Sequence, residues 1–280
     1  MRILLTGKTG QLGSALLSTL APLGEVIACD RSKLDLADPN AIRAGVRAAK
    51  PRVIVNTAAY TAVDKAEVEE GAAMKINCDA PRTLAEEAAK GGALLVHFST
   101  DYVFDGEKRA PYTEDDVPRP LNAYGRSKLG GEQAILSSAC RRLIVRTSWV
   151  YGPIGRNFPL TIMKAAREHR ELRVVTDQVG APTSTGMLAS ALPQMIKRAL
   201  DDASLDGLYH LSAAGEVSWY GFALAILARK GIKAVVRPVR SNEYEARALR
   251  PQNSLLDNAK VRQRFGIRLP PWEEGLAELP

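Results

Sequence analysis

The sequence predicts an α/β protein: a doubly wound parallel sheet with a smaller, discontinuous C-terminal α/β lobe. Three observations carry this. Strand-like and helix-like segments alternate strictly over about the first 150 residues, as parallel sheets with crossover helices require. The strand segments Arg52–Val55 and Ala93–Val96 are near-continuous apolar runs, the pattern of strands covered on both faces. A glycine-spaced turn stands between the first strand and the first helix.

Arg2–Thr6 is a short apolar run stopped by Gly7, hence a buried strand. Gln11–Leu20 has helical spacing and ends before Pro22. Glu25–Cys29 is a second strand, ended by Asp30. Asp38 as N-cap and Pro39 at the first helical position start a helix that runs to about Ala49. Val53–Val55 is the third strand, and one alanine-rich helix is expected over about 72–90. Leu94–Phe98 is the fourth strand, Ala123–Ser137 a helix and Leu143–Arg146 the fifth strand. Beyond residue 150 the alternation loosens. Helices are expected at Phe158–His169, Gly186–Leu200 and Trp219–Arg229, with short strands at Arg173–Val175 and Gly207–Leu211. Residues 1–150 with about 186–230 are expected to form one lobe, and about 151–185 with 231–280 the other.

The chain has 280 residues, 46% hydrophobic and 25% charged, which excludes collagen-like, disordered and disulfide-scaffold classes. No apolar run approaches the roughly 20 residues of a membrane span, so no membrane partner is expected. The opening MRILLTG lacks the apolar stretch and cleavage site of a signal peptide. Cys29, Cys78 and Cys140 form no CxxC pair, and His97, His169 and His210 are not spaced as metal ligands. No metal site is expected, and a reducing, cytoplasmic setting fits the cysteines. The net charge, 38 − 31 = +7, is uneven: residues 229–268 hold eleven Lys/Arg and three acids, 11 − 3 = +8. Such a pole suits a phosphate-bearing partner or is a solvated face. A nucleotide crevice would account for it, leaving no case for nucleic acid.

Gly7, Gly10 and Gly13 have GxxGxxG spacing in a strand–turn–helix context. Glycine permits the tight turn and close backbone approach to a pyrophosphate, and the helix N-terminus offers unpaired N–H groups. This points to a dinucleotide. Asp30, seventeen residues beyond Gly13, is placed to accept hydrogen bonds from the adenosine ribose. Arg31 can face a 2′-phosphate, so NADH and NADPH both stay open.

Tyr124 and Lys128 lie at i, i+4 and share one helix face. A phenol is protonated at neutral pH and can give a proton to a developing alkoxide, and a nearby ammonium stabilises the phenolate left behind. Thr100, at the carboxyl end of the fourth strand where ligands of open α/β sheets bind, can hydrogen-bond a substrate carbonyl. Together these suit hydride reduction of a ketone.

The blocks TGKTGQLG (6–13), NTAAYTAVDKAE (56–67), FSTDYVFDG (98–106), NAYGRSKLGGE (122–132), RTSWVYG (146–152), NF (157–158) and QVGAPT (178–183) resemble the extended short-chain dehydrogenases/reductases. Within them the resemblance is to the dTDP-4-dehydrorhamnose reductase branch, over nearly the whole chain. It implies a Rossmann-type cofactor domain, a smaller substrate lobe, and NAD(P)H-dependent reduction of the C4 ketone of a dTDP-sugar. Carried over by motif, it places Gly10, Gln11 and Leu12 along the pyrophosphate, Asp30 on the ribose, and Asp35 and Leu36 near the adenine. It places Ala59, Tyr60, Thr61 and Phe98 beside the cofactor, and Thr100 and Asp101 on the sugar. Tyr124 is then the proton donor, and Lys128 holds the nicotinamide ribose and lowers the Tyr124 pKa. Trp149 packs on the substrate, and Asn157 with Arg250–Ser254 meets the nucleotide diphosphate.

Two departures stand out. Some members of the family are dimers bridged by magnesium, and the glutamates involved match Ala15 and Gly186 here, neither of which ligates a hard cation. A monomer or weak dimer is expected instead. Two other readings share the scaffold: a nucleotide-sugar epimerase, and a non-catalytic subunit resembling the methionine adenosyltransferase β subunit. A dehydratase is disfavoured because Tyr102 follows Thr100-Asp101 where an acidic residue is wanted.

Overall fold

A computed structural model describes residues 1–280. The elements run in the order β1 (Arg2–Thr6), α1 (Gln11–Leu20), β2 (Glu25–Cys29), α2 (Pro39–Ala49), β3 (Val53–Asn56), α3 (Val63–Ala66), α4 (Glu70–Met74), a π-helical turn (Lys75–Asp79), α5 (Ala80–Gly91) and β4 (Leu94–Thr100). There follow α6 (Ala123–Leu136), β5 (Arg141–Thr147), β6 (Val150–Tyr151), α7 (Phe158–Glu168), β7 (Glu171–Val175), β8 (Val179–Gly180), β9 (Thr183–Ser184) and α8 (Thr185–Asp201). The chain ends with β10 (Gly207–His210), β11 (Val217–Ser218), α9 (Trp219–Lys230), β12 (Val235–Val239) and α10 (Ala259–Phe265).

Six strands form one parallel sheet in the order β10-β5-β4-β3-β1-β2. The chain reverses direction across the sheet between β1 and β3, and a crevice opens at the carboxyl ends of strands at such a point. Side chains alternate across the sheet with period two. Ile3, Leu5, Val53, Val55, Val96 and Val145 face one core with α1 and α8, while Leu4, Ile54, Leu95 and Ile144 face a second with α2 and α5. This double burial explains the continuous apolar runs.

Local signals start the helices. Asp38, Asn122, Asn157, Ser184 and Ser218 each accept a backbone N–H from the first turn of α2, α6, α7, α8 and α9. The single helix expected over 72–90 is instead interrupted. Pro81 has no N–H to give to the Asn77 carbonyl, and the chain widens into the π turn just before it. On the other side of that turn Gly131 of α6 packs so closely that a Cβ there would overlap the Asn77 carbonyl oxygen.

Past residue 150, β7 pairs in parallel with β12, a strand that sequence patterning did not reveal because Arg237 and Pro238 break its apolar run. α9 lies between two clusters. Phe222 and Ile226 face the main core, and Ala223 and Leu227 face a small one built from Ile162, Ala166, Leu172 and Val174.

Candidate active site

One large cleft, about 1100 Å³, opens at the carboxyl ends of β1 to β5. Its walls include Gly7, Gly10, Gln11, Leu12, Asp30, Arg31, Asp35, Leu36, Ala59, Tyr60, Thr61, Phe98, Thr100, Asp101, Tyr124, Lys128 and Trp149. Residues from five separate strand–helix turns therefore converge, as the motif spacing anticipates.

The glycine turn fits a dinucleotide. Gly7 has φ +76°, which disfavours any side chain, and a Cβ there would press on the Ala58 nitrogen and Thr57 Oγ1. Gly10 caps α1 without any side-chain hydrogen bond, leaving the first N–H groups of the helix available to phosphate. Gly13 does not line the cleft. A Cβ there would overlap the Gly7 carbonyl, so its role is close packing of helix on turn. Gln11 is fixed by accepting from Asn157 Nδ2 at 2.6 Å and Gly152 N at 3.0 Å.

At the far end of the cleft the Asp30 carboxylate is already engaged. It accepts from Ser32 Oγ at 2.6 Å and the backbone N–H of Ser32 and Lys33, and pairs with Lys8 Nζ at 3.0 Å. The Ser32 hydroxyl and Lys8 hold its pKa well below the usual carboxylate range. Arg31 is 85% exposed, with only a 3.6 Å pairing to Asp35.

At the reactive end Thr100, Asp101 and Lys128 are buried and Tyr124 is half-buried. Thr100 Oγ1 donates to Asp101 Oδ1 at 2.9 Å and accepts from Tyr102 N at 3.1 Å, and it lies within hydrogen-bonding reach of the Tyr124 hydroxyl. Burial pushes the Tyr124 phenol up to about 12, offset by the Thr100 hydrogen bond. It is therefore held protonated, as a proton donor must be. The expected lowering of this phenol by Lys128 is not what the geometry gives. Lys128 Nζ turns instead to Phe98 O at 2.6 Å and His97 Nε2 at 3.3 Å, and burial draws its own pKa down to about 8.

Asp101 is a buried carboxylate whose side-chain partners are the hydroxyls of Thr100, Ser148 and Ser254, with no cation among them. Burial raises it from 3.8 to about 6. The folded state thus binds this proton more tightly than the unfolded chain. Stability associated with it is complete below about pH 4 and is lost as pH rises through about 6. Asp101→Asn is expected to raise unfolding stability at pH ~7.5 by up to about 3 kcal/mol, with no gain below pH ~4. Urea denaturation at the two pH values measures this; an equal effect at both would remove the ionisation as its cause.

Trp149 stacks face to face on Trp219, ring centroids 3.4 Å apart and planes within 3°. Its backbone is at φ +48°, strained for a bulky residue, and Gly180 leaves the space its ring fills.

Two expected ligands lie off the cleft wall. Asn157 is spent on Gln11, on Gly152 O and as the cap of α7. Arg250 pairs with Asp64 at 2.6 Å, and neither it nor any other residue of 229–268 lines the cleft. The basic segment is dispersed, with Arg237 paired to Glu171 and Arg264 bonded to the Ser204 backbone.

Sequence reading missed Asn77, Trp219, Arg156 and Lys75. Asn77 is the most informative. Its amide donates to Tyr60 O and Ser127 Oγ and accepts from Tyr60 N, tying a cleft-lining loop to the helix of Tyr124. A polar residue just ahead of Asp79-Ala80-Pro81 in an alanine-rich helix was the available signal.

A family model described as the RmlD substrate binding domain matches residues 1–279. The chain is 43% identical over 289 residues to a dTDP-4-dehydrorhamnose reductase of Escherichia coli (strain K12), covering 100% of this chain and 97% of that one. Two solved structures superpose closely. The dTDP-4-dehydrorhamnose reductase of Bacillus anthracis str. Ames, in complex with NADP, has a TM-score of 0.92 at 38% identity, covering 99% of this chain and 97% of that one. That of Clostridium acetobutylicum ATCC 824 has a TM-score of 0.93 at 40% identity, covering 99% and 98%.

Proposed function

Because the chain belongs to the RmlD substrate binding domain family, we propose from its site that it reduces the C4 ketone of dTDP-4-dehydro-L-rhamnose to dTDP-L-rhamnose with NAD(P)H. The observation that carries this reading is the meeting of Thr100, Tyr124 and Lys128 in the cleft that the glycine turn opens. The fitted groups for the cofactor are the free N–H groups after Gly10, with Gln11, Leu12, Asp35, Leu36, Ala59, Tyr60, Thr61 and Phe98 along the wall. When bound, the reduced nicotinamide supplies a hydride.

Thr100 orients the sugar ketone by turning its single O–H from Asp101 to the ketone oxygen, and Tyr124 delivers the proton to that same oxygen as it becomes an alkoxide. Lys128, anchored on Phe98 O and His97, binds the nicotinamide ribose hydroxyls with the N–H left to the cleft. Asp101 and Trp149 grip the sugar. Residues 1–150 with about 186–230 form the cofactor lobe, and about 151–185 with 231–280 the substrate lobe, which faces the cleft through Gly155, Arg156 and Phe158. Epimerase and regulatory readings lack support from the named relatives. The test is a coupled assay: NADH or NADPH with an enzymatically prepared dTDP-4-keto-6-deoxy sugar and its 3,5-epimerase. Stoichiometric loss of nicotinamide absorbance is expected, and no loss with either cofactor would remove the reading.

We also read the chain as a cytoplasmic monomer or weak dimer. No helix is long and apolar enough to cross a membrane. The space where a side chain on Gly186 would stand is filled by the Glu278 carboxylate, which accepts from Ser184 Oγ at 2.6 Å and Gly186 N at 3.0 Å.

With Asp30 committed to its own turn and Arg31 exposed and held only by its 3.6 Å pairing to Asp35, the adenosine end suits a 2′-phosphate. Arg31→Ser is expected to raise the KM for NADPH about tenfold and leave that for NADH within about twofold. Steady-state kinetics with both cofactors checks this; equal losses for the two would overturn the assignment.

A further inference from the structure

Behind Lys128 lies a buried polar chain that the reaction above does not use. His97, on β4, is 1% exposed. Its Nε2 is 3.3 Å from Lys128 Nζ, and its Nδ1 is 3.0 Å from the Asn56 side-chain amide. Asn56 Oδ1 in turn accepts from Thr6 Oγ1 at 2.6 Å. Asn56 and Thr6 are also buried, and the chain runs from β1 through β3 and β4 to α6 with its two ends, Thr6 and Lys128, on the cleft wall.

Resting on the catalytic reading of Lys128, we propose that His97 is a positioning residue: it holds Lys128 through a Thr6–Asn56–His97 hydrogen-bond chain whose direction follows the lysine's charge. A neutral imidazole has a single N–H, so its two nitrogens cannot both donate. Burial keeps His97 neutral. While Lys128 is an ammonium, its N–H groups serve Phe98 O, His97 Nε2 and the cleft. The imidazole proton then sits on Nδ1 and goes to the Asn56 oxygen, and the Asn56 NH₂ faces Thr6. When Lys128 is a neutral amine, the order reverses. Thr6 donates to Asn56 oxygen, the Asn56 NH₂ to Nδ1, and Nε2–H to the lysine lone pair. Between the states one proton leaves to solvent, the imidazole keeps one on its other nitrogen, and the amide turns over.

The other groups around Lys128 do not replace this partner. Tyr124 and Glu132 share its helix, and Glu132 is neutralised by Arg146 on β5 at 2.6 Å. Asp101 from the end of β4 and Lys75 from the π turn share the cleft, but neither is bonded to the amine.

The first test reads the wild-type protein directly. With three histidines in the chain, ¹⁵N-histidine NMR can follow the His97 ring from pH ~6 to ~10. The tautomer is expected to switch with the Lys128 titration and to stay fixed in Lys128→Met. A tautomer that stays constant in wild type while Lys128 titrates would overturn the proposal.

The second test is kinetic. His97→Leu removes an acceptor that the ammonium needs more than the amine does. Neutral-pH kcat is expected to fall about tenfold, and the alkaline limb of the kcat profile to move down by about one pH unit. His97→Gln, whose amide oxygen can stand in for Nε2, is expected to restore both. Superimposable profiles for wild type and His97→Leu would overturn the proposal and leave the catalytic reading standing. Full turnover by Lys128→Met would instead sink the catalytic reading, and the NMR result would be unaffected.

Discussion

Tyr124→Phe is expected to lower kcat by about three orders of magnitude while cofactor affinity stays within about threefold. The phenol is the group held protonated beside Thr100 on the cleft wall. Removing its oxygen leaves the ring in place, stacked edge-on to Tyr102 at 5.9 Å, so the wall keeps its shape. What goes is the proton for the alkoxide, for which Asp101 and Lys128 are poor substitutes. Asp101 is mostly ionised at neutral pH, and Lys128 is turned to Phe98 and His97. Stopped-flow reduction and nicotinamide fluorescence separate the two quantities. A Tyr124→Phe variant that keeps more than about a tenth of parental turnover would show that the proton comes from elsewhere.

The largest loss of stability is expected at the buried ion pair beneath the same helix. Arg146 grips Glu132 in two hydrogen bonds, 2.9 and 2.6 Å, with the two side chains 3% and 0% exposed. The Arg146 guanidinium also lies over Phe104, 5.0 Å from the ring centroid. Arg146→Met strands a carboxylate without water or partner and is expected to cost roughly 4 kcal/mol. The paired change Arg146→Met with Glu132→Leu is expected to recover most of that, because no charge is then buried alone. Denaturant titration of both single variants and the double decides. Additive losses in the double would mean the pair is not energetically coupled.

Much of this could be read from residues alone. The alternation of apolar runs and amphipathic segments, Asp38-Pro39 as a helix start and the glycine turn needed only local physics, and the sheet and its crevice follow from them. Thr100 is legible from its place at the carboxyl end of a strand, and Tyr124 with Lys128 from their i, i+4 spacing on one helix face. Local signals failed where a residue's partner is distant in sequence. Asn157 looks like a ligand until Gln11, far away in the chain, takes its amide. Arg250 looks like an anion clamp until Asp64 claims it. The π turn needed Pro81 and Gly131 to be considered together, and His97 reads as plain core until the Lys128 amine is folded against it.

Two of the three tryptophans are the indoles stacked at the cleft. Indoles stacked so closely quench one another's emission. The molecule thus carries its own optical gauge of the cleft. Anything that parts the rings restores the light, without a label and without turnover.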